Sequence, residues 1–407
     1  MKKFFCLALL YVFSAAQKVE ANTDGSSSIY LVFREFDVKA EVSLALSELE
    51  AAFGKELQTD PTEKIRDLKV ELRSYILSHI SVKGQDGLPW QINLTDDFSI
   101  ENLPGEPRSL VFSISLHSTN VQSPRAFSIF TDLIVHKILS HRILVFVKSD
   151  WGTGVSSEHT EGIGIVYSGQ NEIIVNRGEG SNWVGFLSVF KLGMDRVKTE
   201  FYHLMFIFVL LLSMTVSYKN SFFDFFRVLS AFTVGHFLKL LIVAAGAKNL
   251  PLRWDEVLFS VTIIIFIFHS FRPLFPGQEW IVAFVFGLVY GFVSSNVISD
   301  FGLSAGNLII GSLGLSLGVL FMQLVIVALF APWYYIAAKG KFYPVFRNLI
   351  LLAALIICIV WLSTRLLNTE NFLLPYLNTI VEHLEWSFLY TAVGCLLVRY
   401  QKPDNIK

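Results

Sequence analysis

Charge is what this sequence has little of. Only 16% of its 407 residues are Asp, Glu, Lys or Arg, against about a quarter in soluble globular chains. The deficit is uneven: residues 22–198 have ordinary soluble composition, whereas residues 201–400 are almost continuously apolar with short polar breaks. Cysteine is nearly absent. Cys6 falls in the N-terminal apolar run, and Cys358 and Cys395 fall in the apolar half. The soluble part therefore holds no disulfide and must rest on its own hydrophobic core, which a domain of about 175 residues can supply. Net charge is −1, with no basic tail, basic stripe or nucleic-acid motif, so nothing argues for DNA or RNA as a partner.

What is there reads in three pieces. Lys2 and Lys3 precede an apolar run from Phe4 to Phe13, too short for a permanent span, and small residues follow. That is the pattern of a secretory signal over residues 1–21, with cleavage after Ala16 or Ala21. Residues 22–185 then read as an exported soluble domain. Ile29–Phe33, Val38–Leu44, Ser109–Leu116, Ile143–Lys148 and Glu172–Val175 have strand character, while Ser47–Phe53 and Ile65–His79 have helical spacing. A strand-rich fold follows, α+β or β-sandwich-like. His79, His117, His136, His141 and His159 are scattered along it, and the five-residue step from His136 to His141 is not a ligand spacing. No catalytic constellation emerges, and the chain is not read as an enzyme.

Residues 186–407 predict a membrane all-α bundle of about seven helices. A hydrocarbon core about 30 Å thick needs about 20 apolar residues in helix. The segments that qualify, or nearly do, are 201–218, 226–246, 257–274, 280–298, 307–331, 345–366 and 384–400. Lys219, Arg227, Arg272, Lys339, Lys341, Arg347, Arg399, Lys402 and Lys407 fall in one set of loops, which marks the cytoplasmic side. With the N-terminal domain exported, this predicts a bacterial inner-membrane protein, residues 22–198 periplasmic and the C-terminus cytoplasmic. The lipid bilayer is then one partner, and the exported domain is free to bind a periplasmic or membrane protein.

Polar side chains inside a bilayer are costly and are functional candidates by default. His203, His236 and His269 lie in three different predicted spans, Lys239 follows His236 by one turn, and Gln323 lies in the fifth. Three imidazoles on separate helices make a candidate metal or proton-relay site. Gly287, Gly291, Gly314 and Gly318 sit at helical spacing and read as close helix packing. Gly302-Leu303-Ser304-Ala305-Gly306 has the spacing of a nucleophile elbow, but that motif needs a strand-to-helix turn, and a Gly/Ser loop between helices is the ordinary reading.

Four stretches carry a family pattern: FKLGMDRVKTEFYHLMF at 190–206, AFTVGHFLKLL at 231–241, FGLVYGF at 286–292 and LSLGVLFMQL at 315–324. Their order resembles the HupE/UreJ proteins, hydrogenase- and urease-accessory membrane proteins associated with nickel or cobalt uptake, and within them the branch with a signal peptide and an exported domain. Phe190, Gly193, His203, Leu204, Phe206, Phe232, Thr233, His236, Gly318, Val319, Gln323 and Leu324 match. Arg196 stands where the family has His, Tyr202 for Asp, Phe237 for Ser, Tyr290 for His, Ser316 for Asn and Leu320 for Glu, and His269-Ser270 stands for Glu-Asn. The resemblance implies a divalent-metal permease or transport-related protein with nickel or cobalt as substrate. His203, His236 and His269 would be ligands or relays, with Tyr290 and Gln323 as oxygen ligands or orienters. The lost His, Asp and Glu side chains weaken such a cation site, and Lys239 works against a dication. The alternative is a non-transporting bundle that anchors an exported binding or assembly domain.

Overall fold

A computed structural model describes residues 27–95, 97–102, 107–118, 124–157, 159–214, 221–244, 252–301, 303–367 and Val393. The expected signal at 1–21 lies outside the described residues, and so does the segment at 384–400 apart from Val393. The described residues belong to two compact units, 18–188 with 297–308, and 189–296 with 309–407.

The first unit is strand-rich. β1 (Ser27–Phe33) and β2 (Val38–Ala45) form an antiparallel hairpin. Their alternation puts Ile29, Leu31, Phe33, Val38, Ala40, Val42 and Leu44 into the core. Three helices follow: α1 (Leu46–Phe53), α2 (Pro61–Asp67) and α3 (Lys69–Ser78). Next come β3 (Ile80–Gly84), β4 (Gln91–Leu94), β5 (Ser99–Glu101), β6 (Ser109–His117), β7 (Ala126–Thr131), β8 (Ile143–Asp150), β9 (Glu161–Val166) and β10 (Glu172–Asn176). One sheet runs β4-β6-β2-β1-β8-β9, with β5 also on β6, and a second runs β10-β7-β3. All pairings are antiparallel except β1 with β8, which is parallel. Both sheets and the helices share one core, to which β6 gives Phe112, β7 Phe127, α1 Leu49 and α3 Leu72. The helix expected over 65–79 is two helices meeting at Leu68.

At the end of β8 the Asp150 carboxylate is fully buried and fully answered. It accepts from both terminal nitrogens of Arg125 at 2.9 Å, from Arg177 Nε at 3.0 Å, from the Thr153 hydroxyl at 2.7 Å and from the Gly152 N–H at 3.0 Å. Burial alone would raise its pKa. The hydrogen bonds from Arg125, Thr153 and Arg177, with the Arg125 charge, outweigh that and hold the carboxyl below its ordinary value.

The second unit is helical: α4 (Asn182–Thr199, which begins in the first unit), α5 (Phe201–Met214), α6 (Ser221–Ala244), α7 (Leu252–Phe271), α8 (Glu279–Asp300), α9 (Ala305–Ala337) and α10 (Tyr343–Leu367). Six of the seven expected spans thus coincide with helices. Three of these are long and apolar enough to cross a membrane, within α6, α9 and α10. The apolar stretches of α5, α7 and α8 are shorter, at His203–Leu212, Val257–Phe271 and Glu279–Gly291. α7 opens on Arg253, Asp255 and Glu256, which shortens its apolar run.

Glycine sets how closely these helices meet. A Cβ on Gly287 of α8 would collide with the Phe232 carbonyl of α6, and one on Gly235 of α6 with the Phe284 carbonyl of α8. Gly291 meets Lys239 and the His236 carbonyl in the same seam. The α4–α9 seam is built alike, with Gly318 against the Phe190 carbonyl and Gly193 against that of Leu315. Backbone-to-backbone approach of this kind is how small residues join helices where no hydrophobic force drives them together. Gly314 is buried in α9. At the far end Arg347 of α10 donates to the carbonyls of Leu212 and Ser270, tying α10 to the C-terminal ends of α5 and α7.

Candidate functional site

Glu200 is the one non-helical residue between α4 and α5. Its carbonyl accepts the His203 N–H at 3.0 Å and so starts α5. Its carboxylate thereby sits at a helix N-terminus, where the exposed peptide N–H groups favour negative charge. The carboxylate accepts the Tyr290 hydroxyl at 2.7 Å and faces His203 Nδ1 at 3.3 Å. Arg196, one turn back on α4, approaches it at 4.0 Å.

His203, His236 and Tyr290 are all completely buried. The Tyr290 ring lies against His203 edge-on, 4.4 Å between centroids, and against His236 at 5.2 Å. Phe232 and Phe259 close the same group, each under 6 Å from Tyr290. On its other side His236 Nδ1 pairs with the Ser316 hydroxyl of α9 at 2.9 Å. Polar contacts thus run from Glu200 to Tyr290 and His203, and on by ring contact to His236 and Ser316. Ser312, Ser316 and Gln323 lie at steps of four and seven along α9, all buried, on one face of that helix. Among the described residues His236 Nε2, Ser312 Oγ and both amide atoms of Gln323 have no hydrogen-bond partner.

Of the residues singled out in the sequence, the structure brings His203, His236 and Tyr290 into contact. Gln323 shares their helix face but lies about 10 Å beyond Ser316 along α9, at about 1.5 Å per residue. His269 is placed differently. Its Nδ1 accepts the N–H of Leu274 at 3.0 Å, its Nε2 stands 3.6 Å from Glu279, and its ring stacks on Phe275 at 4.0 Å. It shapes the turn between α7 and α8, ten residues and about 15 Å along α7 from Phe259. Sequence reading missed Glu200. The usable signal was a carboxylate three residues before His203, close enough to reach it across one helical turn. Ser304 precedes α9, and its carbonyl accepts the Leu308 N–H. It lies between α8 and α9 with no strand leading in, so the nucleophile-elbow context is missing.

Among the described residues no group of three or more His, Cys, Asp or Glu side chains is arranged to hold a metal ion jointly. Glu200 and His203 together offer a carboxylate and an imidazole, and His236 offers a second imidazole beyond the Tyr290 ring. This is a series of single polar stations. The residues that carry the family pattern coincide with this architecture: Phe190 and Gly193 pack on Gly318 and Leu315, Phe232 packs on Gly287, and His203 and His236 flank Tyr290.

No curated protein matches the chain. Residues 170–365 match the family described as HupE / UreJ protein, a span that takes in β10 and every described helix from α4 to α10 up to Arg365. Over those residues the chain is similar to the HupE/UreJ family.

Proposed function

We propose that this HupE/UreJ protein is a membrane permease for a divalent transition-metal ion, nickel or cobalt by its family, and that the ion passes the stations Glu200, His203, His236, Ser316 and Gln323. In this reading the protein sits in the bacterial inner membrane with its strand-rich unit in the periplasm, where it meets a protein partner, and its C-terminus in the cytoplasm. The observation that carries the reading is the unanswered polarity of the helical unit. His236 Nε2 and the whole Gln323 amide are buried without a partner among the described residues, and a buried amide left unpaired costs about 1–3 kcal/mol in proteins. A bundle that served only as an anchor would gain by replacing them with Leu. A path for a cation needs such groups, and it needs them weak and spaced, since an ion held by a complete ligand set does not leave.

The test is metal accumulation by cells that lack their own nickel and cobalt uptake and express this chain. Wild-type protein raises accumulation, and Glu200→Gln and His236→Leu each lower it at least tenfold with the protein still in the membrane at wild-type amount. Accumulation that is absent in the wild type, or unchanged in both variants, would overturn the permease reading and leave the anchored exported domain in its place.

A further inference from the structure

The open edge of a sheet is a template for another strand, and sheet proteins blunt their edges for that reason. Among the described residues the strand-rich unit has four edges: β4 and β9 end one sheet, β10 and β3 the other. Three of them are blunted. The turn after β3 folds back over its edge, the Gly84 N–H donating to the Leu88 carbonyl and the Trp90 N–H to that of Val82, both at 2.9 Å. Arg73 of α3 reaches the edge of β4 and donates to the Leu94 carbonyl at 3.0 Å. β9 carries Gly162 and Gly164 and a register shift against β8, a bulge of the kind that bends an edge away. β10, EIIVN, has no Pro, Lys or Arg and keeps a regular register with β7 over its whole length.

The hydrogen bonds at its two ends fix which groups of β10 face outward. The Asn171 carbonyl accepts the Thr131 N–H and the Arg177 N–H donates to the Arg125 carbonyl, both at 2.9 Å. Bonding alternates along an antiparallel strand, so Ile173 and Val175 also bond to β7. Glu172, Ile174 and Asn176 therefore turn their N–H and C=O groups to the open edge, where no described residue answers them. β9 does not fill it. The two strands bond at their turn, Tyr167 with Gln170, and β9 then lies over the inner face of β10. There a Cβ on Gly164 would meet the Ile173 side chain, and Glu161 accepts from Arg177 at 3.0 Å. On the outer face Ile174 is 80% exposed, in the middle of the strand.

We propose that β10 is a homodimer edge, which pairs antiparallel with β10 of a second copy about a two-fold axis through Ile174. In that register Glu172, Ile174 and Asn176 of each copy face Asn176, Ile174 and Glu172 of the other, and every outward N–H meets a carbonyl. The side chains agree with the backbone. Ile174 packs on its own copy, an apolar cross-strand pair made from a residue otherwise in water. Glu172 stands opposite an amide, so no like charges meet. Asn176 Oδ1 already accepts the Gly178 N–H at 3.2 Å, which leaves its NH2 to donate to that carboxylate. The edge thus has an acceptor at one end, a donor at the other and an apolar centre, and it is complementary to itself. The joined sheet runs β3-β7-β10-β10-β7-β3 and ends on two β3 edges that are already covered. Assembly therefore closes at two copies, through an interface that uses the same patch on both. The pairing is independent of the helical path and stands even if the bundle transports nothing.

The experiment uses the full chain in detergent, with Cys6, Cys358 and Cys395 replaced by Ala and single cysteines placed on β10. Under mild oxidation Ile174→Cys forms a disulfide between two copies, because directly opposed Cα atoms stand about 5.5 Å apart. Glu172→Cys alone does not, since its two copies lie four residues, about 14 Å, out of register. Glu172→Cys mixed with Asn176→Cys does. In the otherwise native chain Ile174→Lys sets two ammonium groups face to face. The dimer dissociation constant, read by sedimentation velocity, rises at least tenfold, while the thermal midpoint of the β-sheet signal stays put because the side chain lies on the surface. Cross-linking by Glu172→Cys alone as fast as by Ile174→Cys would overturn the proposal, as random collision does the same. So would a dimer that Ile174→Lys leaves intact, which would place the contact elsewhere in the chain. A wild-type chain that stays monomeric, with no cross-link at Ile174→Cys, would overturn it too and leave the edge to a strand from another protein.

Discussion

Asp150 in the strand-rich unit and Gln323 in the helical unit are buried polar groups treated in opposite ways. In the strand-rich unit the buried carboxylate of Asp150 receives five hydrogen bonds, two of them from one guanidinium. In the helical unit, among the described residues, the imidazole of His236 is bonded at one nitrogen and the Gln323 amide at none. A buried charge without partners costs several kcal/mol, so the first unit spends its polar groups on holding itself together. The second has glycine seams and apolar packing, and among the described residues His236 Nε2 and the Gln323 amide are left without a partner.

That contrast can be broken by experiment. The largest effect is expected at the glycine seam. Gly287→Val drives a side chain into the Phe232 carbonyl of the neighbouring helix, and backbone cannot give as a side chain can. The loss should exceed the roughly 1–3 kcal/mol of ordinary overpacking, read as a collapse in monodisperse protein recovered in detergent. Recovery at wild-type yield would mean the seam does not hold the helices. Next comes Asp150→Asn, which strands Arg125 and Arg177 beside a neutral amide. It should cost the strand-rich unit about 3–5 kcal/mol, measured as a lower denaturant midpoint for its β-sheet signal.

The acid response of the same group is smaller and has a definite sign. The folded pKa of Asp150 lies below its ordinary value. Its contribution to stability is therefore fully present above about pH 3.9, the ordinary aspartate value, and is lost as pH falls through the lower folded value. Thermal midpoints should drop below about pH 4 in the wild type, and less steeply in Asp150→Asn. Equal slopes in the two proteins would remove Asp150 as the cause. The smallest effect on stability is the sharpest for the comparison. Gln323→Leu removes two unanswered polar atoms, so stability should be unchanged or slightly raised, while metal accumulation falls at least tenfold. A large loss of stability there would show that Gln323 is structural after all.

Much of this was legible in the chain. The split in composition near residue 200 separates a unit of sheets from a unit of helices, and β1, β2, β6, β8 and β10 announce themselves through alternation. β4 and β5 did not, being four and three residues long, too short for a period of two to register. β9 includes Gly162 and Gly164, which blur any pattern. His203 and His236 stood out because imidazole is rare in apolar runs. Glu200 did not, because it lies at the edge of a polar stretch and becomes part of the site only when α8 brings Tyr290 to it.

The parallel pairing of β1 with β8 has a consequence in time. β1 leaves the ribosome before every other described strand, and β2 can cover one of its edges almost at once. Its other edge waits for residues 143–150, more than a hundred positions later. Closing so long a loop is slow compared with closing a hairpin. Throughout that wait a hydrophobic strand, SSIYLVF, presents unsatisfied N–H and C=O groups to whatever lies nearby. A chain interrupted anywhere before residue 143 is thus an aggregation hazard, and a chaperone that shields Ser27–Phe33 would cover the edge that waits.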